Sequence, residues 1–312
     1  MSTHLVVGAG PVGTRTALLL AATGAHVRVV TRSGSGPDHP AIERIAADAS
    51  DAATMRSLAD GAVAVYNCAN PSYTRWDTDW PPIATALLEA AASSNAVLAT
   101  VGNLYGYGRV TGPIGTDTPL APCDHKGEVR VRMWEDALAA HEAGRVRVVE
   151  VRASDYADAR SNSHLARNAP AVLAGRTAWV LGAADQPHSW TTTHDTARLL
   201  VDLAGDRRAH GRAWLVPTAP ARTQREALAD IAATAGVATP RVRVLGPRAL
   251  RAAGVVVPLL RQLAGTAYQF TAPFVVDHSA TTSHVGWGPQ AWDATVERVV
   301  RAAQGAVPAG AR

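Results

Sequence analysis

The chain has 312 residues, 47% of them apolar, which is enough for one large core or two modest ones. The net charge is +4, and the basic residues are scattered Arg with Lys126 as the single Lys, a distribution that argues against nucleic-acid binding. Two cysteines, Cys68 and Cys123, exclude a disulfide framework and point to a reducing, cytoplasmic setting.

The elements alternate from the start. "HLVVGAG" reads as a strand, "VGTRTALLLAATG" as a helix closed by Gly24, and "HVRVV" as a second strand. "AVAVYNCAN" is a strand, "PPIATALLEAAASS" a helix and "AVLATVG" a strand. "GEVRVRMWEDALAAHEAG" is a helix closed by Gly144, and "RVRVVEVRAS" a strand. Continuous apolar strands alternating with helices predict an α/β fold, a Rossmann-type doubly wound parallel sheet.

After Ser154 the pattern loosens. "DYADARSNSHLARNAP" reads as a polar loop, "TAWVLG", "AWLVPT" and "RVRVLG" as strands, and "TQREALADIAATAG" and "PQAWDATVERVVRAAQ" as helices. This order predicts a smaller C-terminal substrate lobe. The expected division is 1–155 for the nucleotide lobe, re-entered around 176–205, and 156–312 mainly for the substrate lobe. The N-terminus lacks a basic region and a long apolar run, so no signal peptide is expected. "AAGVVVPLL" around Val255 is too short to span a bilayer and contains Pro258, so no membrane partner is expected either. "GAVPAGAR" reads as a frayed C-terminal tail.

The first strand–helix junction carries Gly8, Gly10 and Gly13 in Gly-x-Gly-x-x-Gly spacing, with Pro11 and Val12 between the last two. Gly8 permits the tight turn, Gly10 lets the backbone approach a pyrophosphate, and Gly13 lets the helix pack close to the sheet. The helix N-terminus then faces the anion, and Ala17 keeps the helix near the sheet. The second strand ends in Thr31, Arg32 and Ser33, one cation and two hydroxyls where an NAD site usually has an acid. That set favours the 2′-phosphate of NADP(H).

In order and spacing these pieces resemble the short-chain dehydrogenase/reductase superfamily, in its extended or atypical NAD(P)-dependent epimerase/dehydratase branch. "GAGPVGTRTA" matches the glycine loop, and "DASD", ending at Asp51, resembles the segment whose last acid approaches the adenine. "YNCANP", with Cys68, Ala69 and Asn70, stands beside the cofactor in that family. "LYGYG", "VRASDY", "HSWTTTHDTARLLVDL" and "FVVDHSATTSHVGWGPQAW" follow in the family's order. The resemblance implies a catalytic Ser or Thr and a Tyr-x-x-x-Lys pair. The chain has no such pair: Lys126 falls at the Tyr position and Arg130 at the Lys position, one helical turn apart. The hydroxyl position falls near Thr100 and Val101.

In that setting Arg130 is expected to hold cofactor ribose hydroxyls. Lys126 becomes a proton donor if its pKa is lowered, or a charge stabiliser as an ammonium; alternatively it is a solvated residue. Tyr156 and Tyr107 are the other candidates for the missing acid. Trp76, Trp80, Tyr105, Asp155 and His164 are expected around a small-molecule substrate. The 11 His show no ligand spacing, so no metal is expected. A homodimer is left open. The resemblance implies an NADPH-dependent reductase of a carbonyl, imine or activated alkene. The loss of the standard pair keeps two alternatives open: a redox-neutral isomerase, epimerase or cyclase, and a non-catalytic NADP sensor.

Overall fold

The computed structural model describes residues 2–158, 163–253 and 255–305. Residues 159–162 of the expected polar loop, and all but the first residue of the expected C-terminal tail, lie outside the described residues. The chain forms two compact units: 1–108, 119–153 and 194–216 in the first, and 109–118, 154–193 and 217–312 in the second.

The first unit holds strands β1 (Thr3–Val7), β2 (His26–Thr31), β3 (Ile42–Ala46), β4 (Ala62–Asn67), β5 (Val97–Asn103) and β6 (Arg147–Ala153). Its helices are α1 (Pro11–Ala22), α2 (Ala52–Ala59), α3 (Trp76–Ser93) and α4 (His125–Glu142). The second unit begins with α5 (His164–Leu173) and β7 (Ala178–Leu181). The chain then returns to the first unit through most of α6 (Thr193–Gly205) and β8 (Arg212–Leu215). The remaining elements belong to the second unit: α7 (Gln224–Thr234), β9 (Val242–Leu245), α8 (Pro247–Ala253), α9 (Pro258–Thr266), α10 (Ser279–Val285) and α11 (Trp292–Gly305).

Seven strands form one parallel sheet in the order β3-β2-β1-β4-β5-β6-β8. The order reverses between β1 and β4, the switch point where doubly wound sheets bind ligands beyond the carboxyl ends of their strands. The interior follows from the apolar runs: Leu5, Val7, Val65, Leu98 and Val148 from the strands pack with Met55, Leu87, Ala90 and Trp134 from the helices. The α/β fold with a parallel doubly wound sheet is as the alternation predicts.

The second unit has its own core, in which Leu165, Val172, Leu228, Ile231, Phe270 and Val296 are buried. β7 pairs in parallel with β9 as a separate two-stranded sheet. The expected re-entry at 176–205 therefore shifts: β7 stays in the second unit, and the returning piece is 194–216, which ends in β8 beside β6. Residues 109–118 also join the second unit, where Ile114 bridges Val276.

Three other local readings change. "AIERIA" forms edge strand β3, the expected polar loop contains α5 from Ser163, whose hydroxyl caps it, and α3 begins at Trp76 rather than at Pro81. Among the described residues no helix is long and apolar enough to cross a membrane.

Candidate functional site

The glycine loop leaves β1 at the switch point, and its three glycines do different work. Gly8 has φ +98°, and a Cβ there would lie 2.5 Å from the Cys68 carbonyl oxygen. A Cβ on Gly13 would lie 1.9 Å from the Gly8 carbonyl oxygen, so α1 approaches the loop too closely for any side chain. A Cβ on Gly10 would meet nothing within 4 Å. Gly10 is extended at the N-cap of α1, with Pro11 opening the helix and Val12 buried beneath it. The loop is closed at Gly8 and Gly13 and open at Gly10, the N-cap of α1, the shape a pyrophosphate at a helix N-terminus needs. A dinucleotide fits this cradle.

Cys68 is part of the cradle wall. Its amide donates to the Val7 carbonyl, and burial pushes its thiol up to about 12. Ala69 donates its amide to Asn67 Oδ1, and Asn70 is exposed. At the end of β2, Arg32 and Ser33 are exposed, and the Thr31 and Ser33 hydroxyls bond Ser35. Asp51, expected beside an adenine, is the N-cap of α2: its carboxylate accepts from the Ala53 and Thr54 amides and the Thr54 hydroxyl. These bonds, led by those from Thr54, hold its carboxyl below the usual range, and they commit both oxygens to the helix.

Lys126 and Arg130 lie on α4, whose first turn is capped by Asp124 accepting from the Gly127 amide. A Cβ on Gly127 would come 2.6 Å from the Tyr105 carbonyl oxygen, so only glycine lets α4 start this close to the 105–107 turn. The approach puts both cations against aromatic rings. Lys126 Nζ lies 4.4 Å from the Tyr73 ring centroid and 5.8 Å from that of Trp76. The Arg130 guanidinium lies 4.6 Å from the Trp80 ring and 5.4 Å from Trp76, and it donates to the Val101 carbonyl. Trp76 stacks on Tyr105, and the Tyr73 hydroxyl donates to the Tyr105 hydroxyl. Lys126 is thus buried, at 1% exposure, and not a solvated residue. Burial lowers its pKa, opposed by the charges of Asp124 and Asp77.

Two candidates are placed elsewhere. Thr100 lies mid-strand in β5 and lines a cleft with Asn67, Thr85, Trp134 and Glu150, whereas the β5 residue that meets Arg130 is Val101. Tyr107 is buried, and its hydroxyl accepts from Arg152, which also donates to Glu150 at 2.6 Å. Through its hydroxyl oxygen Tyr107 is thus tied into a buried ion-pair network. Cys123 is exposed.

The second unit brings Asp155 and His164 together with His188, a residue the sequence reading missed. His188 is buried, and its Nε2 lies 3.0 Å from Asp155 Oδ2. Its ring stacks on Phe270 and Phe274. Burial raises the Asp155 carboxyl, but the His188 hydrogen bond and the His188 and His164 charges outweigh it and hold the group low. His164 accepts at Nδ1 from Arg167, with its Nε2 3.9 Å from Asp155, and burial pushes it down to about 4. Tyr156 pairs through its backbone with Thr191. Among the described residues no three His, Cys, Asp or Glu gather as a metal site.

Residues 1–71 match the family model of an FAD-binding domain. No curated protein matches the sequence. Solved structures similar to the chain include UDP-glucuronic acid 4-epimerase from Bacillus cereus in complex with NAD, at 14% identity, TM-score 0.80, and 97% and 99% coverage of this chain and that one. dTDP-glucose 4,6-dehydratase from Bacillus anthracis in complex with NAD aligns at 15% identity and TM-score 0.79, covering 98% and 97%. UDP-glucose 4-epimerase from Thermotoga maritima with UDP-glucose aligns at 15% identity and TM-score 0.79, covering 96% and 97%. What the chain shares with these epimerases and dehydratases is the fold.

Proposed function

We propose that this protein is an enzyme that holds a nicotinamide dinucleotide on the Gly8–Gly13 loop, NADP(H) in preference to NAD(H), and reduces a carbonyl, imine or activated alkene of a small molecule. The observation that carries the proposal is the cradle itself: Gly8 and Gly13 are closed against protein, and Gly10 alone opens outward. The fold likeness to epimerases and a dehydratase, two of them solved with NAD, supports an enzyme of this kind. The FAD-domain match covers the same N-terminal segment and makes FAD the competing ligand to test.

When bound, the dinucleotide supplies hydride. The chain's residues do the rest. The amides at the start of α1 bind the pyrophosphate, and Arg32 reaches the 2′-phosphate. Lys126 holds the proton or the positive charge that the reduced atom needs, since burial brings its amine nearer neutrality. Arg130, fixed on the Val101 carbonyl and two indoles, orients the ribose. Asp155, Tyr156 and His164 are the substrate-binding groups proposed for the second unit.

The test is titration of the purified protein with NADPH, NADH and FAD, followed by a turnover screen that reads nicotinamide absorbance and product mass together. Tight NADPH binding with absorbance loss supports the reading. Product without net absorbance change would replace reduction by a redox-neutral reaction. Preferential FAD binding would overturn the cofactor assignment, and NADPH binding that only alters association with a protein partner would replace the enzyme by a sensor.

A further inference from the structure

The helices α8 and α9 in the second unit pack on each other, and their inner face is already occupied. Leu250 is buried, and Leu260, Leu263 and Ala264 pack on the core of that unit. Between the helices three successive apolar residues lie outside: Val255 is 84% exposed, Val256 83% and Val257 44%. Single exposed apolar residues are ordinary, but three in succession at the tip of a helical pair are not.

The charge along this stretch of chain has one sign. Between Asp230 and Asp277 the chain runs 46 residues without an acid and with five arginines: Arg241, Arg243, Arg248, Arg251 and Arg261. All five are exposed. Arg243 lies over the ring of exposed Trp179, and among the described residues none of the five sits in an ion pair.

We propose that the α8–α9 tip docks this protein on an anionic phospholipid surface, the three valines entering the headgroup–acyl boundary and the arginines meeting lipid phosphates. An exposed apolar tip joining two helices that carry exposed Arg248, Arg251 and Arg261 has the composition of an interfacial anchor. A second copy of the chain would bring like charges together. An acidic polymer would satisfy the arginines and leave the valines in water. The segment is too short to span, so the protein would lie on the membrane rather than cross it.

The test is co-sedimentation of the full chain with vesicles of phosphatidylcholine alone and of equal parts phosphatidylcholine and phosphatidylglycerol, at low and high salt. The chain is expected to pellet with the mixed vesicles at low salt and to stay in solution with phosphatidylcholine. Arg248→Glu with Arg251→Glu should lower partitioning by about tenfold or more. Val255→Ser, Val256→Ser and Val257→Ser together should lower it by about tenfold with the charge unchanged. Circular dichroism checks that each variant is folded, and Arg248→Gln with Arg251→Gln replaces the charge reversal if that variant is not. Absence of pelleting with mixed vesicles overturns the proposal. So does full retention by the serine variant with competition by polyglutamate, which would mark an acidic-polymer surface. A concentration-dependent dimer lost on the serine substitutions would overturn it in favour of self-association.

Discussion

The ammonium of Lys126 lies 4.4 Å from the centre of the Tyr73 ring, inside a wall completed by Trp76 and Tyr105. A cation at this distance from a ring face gains about 0.5–2 kcal/mol, which opposes the desolvation that lowers its pKa. Lys126→Met should cut turnover by about a hundredfold or more while NADPH binding stays within a few-fold. Arg130→Met should instead weaken NADPH binding. Tyr73→Leu removes support for the charged amine, so the alkaline limb of the kcat profile should move to lower pH. Full turnover in Lys126→Met would place the acid elsewhere, and Tyr156→Phe is then the next variant to assay.

Gly10 and Gly13 are three residues apart and should respond differently to added bulk. Gly10→Val puts a side chain into the open side of the cradle, so the protein should fold with a native circular dichroism spectrum and lose dinucleotide binding. Gly13→Ala forces a Cβ onto the Gly8 carbonyl and should lower the unfolding midpoint as well. Unchanged NADPH affinity in folded Gly10→Val would mean that the loop does not hold the pyrophosphate.

These glycines were legible because a turn, a close backbone approach and a helix start each demand the smallest residue at a fixed spacing. The central strands were legible because burial on both faces makes them continuous apolar runs. β3 was not, since as an edge strand it keeps Glu43 and Arg44 exposed and so lacks that pattern. α5 was obscured by Pro170 within it and by its polar first turn. His188 carries no local signal: it reaches Asp155, 33 residues away, through the pairing of the 154–156 and 189–191 segments. Glu150 and Arg152 did leave a trace, two charges two positions apart in the apolar run "RVRVVEVRAS", on the same face of a strand.

That buried pair makes Tyr107 a test of structure rather than catalysis. Its hydroxyl is 2.8 Å from the Arg152 guanidinium. Tyr107→Phe leaves a buried charged donor without that acceptor and should lower stability by about 1–3 kcal/mol. Urea unfolding measures the loss, and kcat should remain within a few-fold. A hundredfold fall in kcat with unchanged stability would return Tyr107 to the list of acids.

Arg32 is exposed at the end of β2 with the Thr31 and Ser33 hydroxyls bonded to Ser35, and on the proposed reading its guanidinium is the group that meets a 2′-phosphate. A charge-assisted phosphate contact contributes about 1.5–3 kcal/mol, or roughly ten- to a hundredfold in affinity. Arg32→Ala should erase most of the preference for NADPH and leave NADH affinity nearly unchanged. Equal affinity of the wild-type protein for the two cofactors, in parallel titrations, would sink the assignment.

His164 sets the acid limit of the second unit. Burial holds its pKa at about 4, against 6.5 when free. Between those values the unfolded chain binds a proton that the folded chain does not, so stability is complete above about pH 6.5 and is lost as pH falls toward 4. Protonation also turns Nδ1 from an acceptor of the Arg167 hydrogen bond into a competing donor. At pH 5 this single group should cost about 2 kcal/mol relative to pH 7. His164→Asn carries no titrating ring and should show a correspondingly smaller fall in its urea midpoint between pH 7 and pH 5. His4 and His210, whose pKa values burial also lowers, are present in both proteins and cancel in the comparison. An identical fall in wild type and variant would mean that His164 does not titrate within this window.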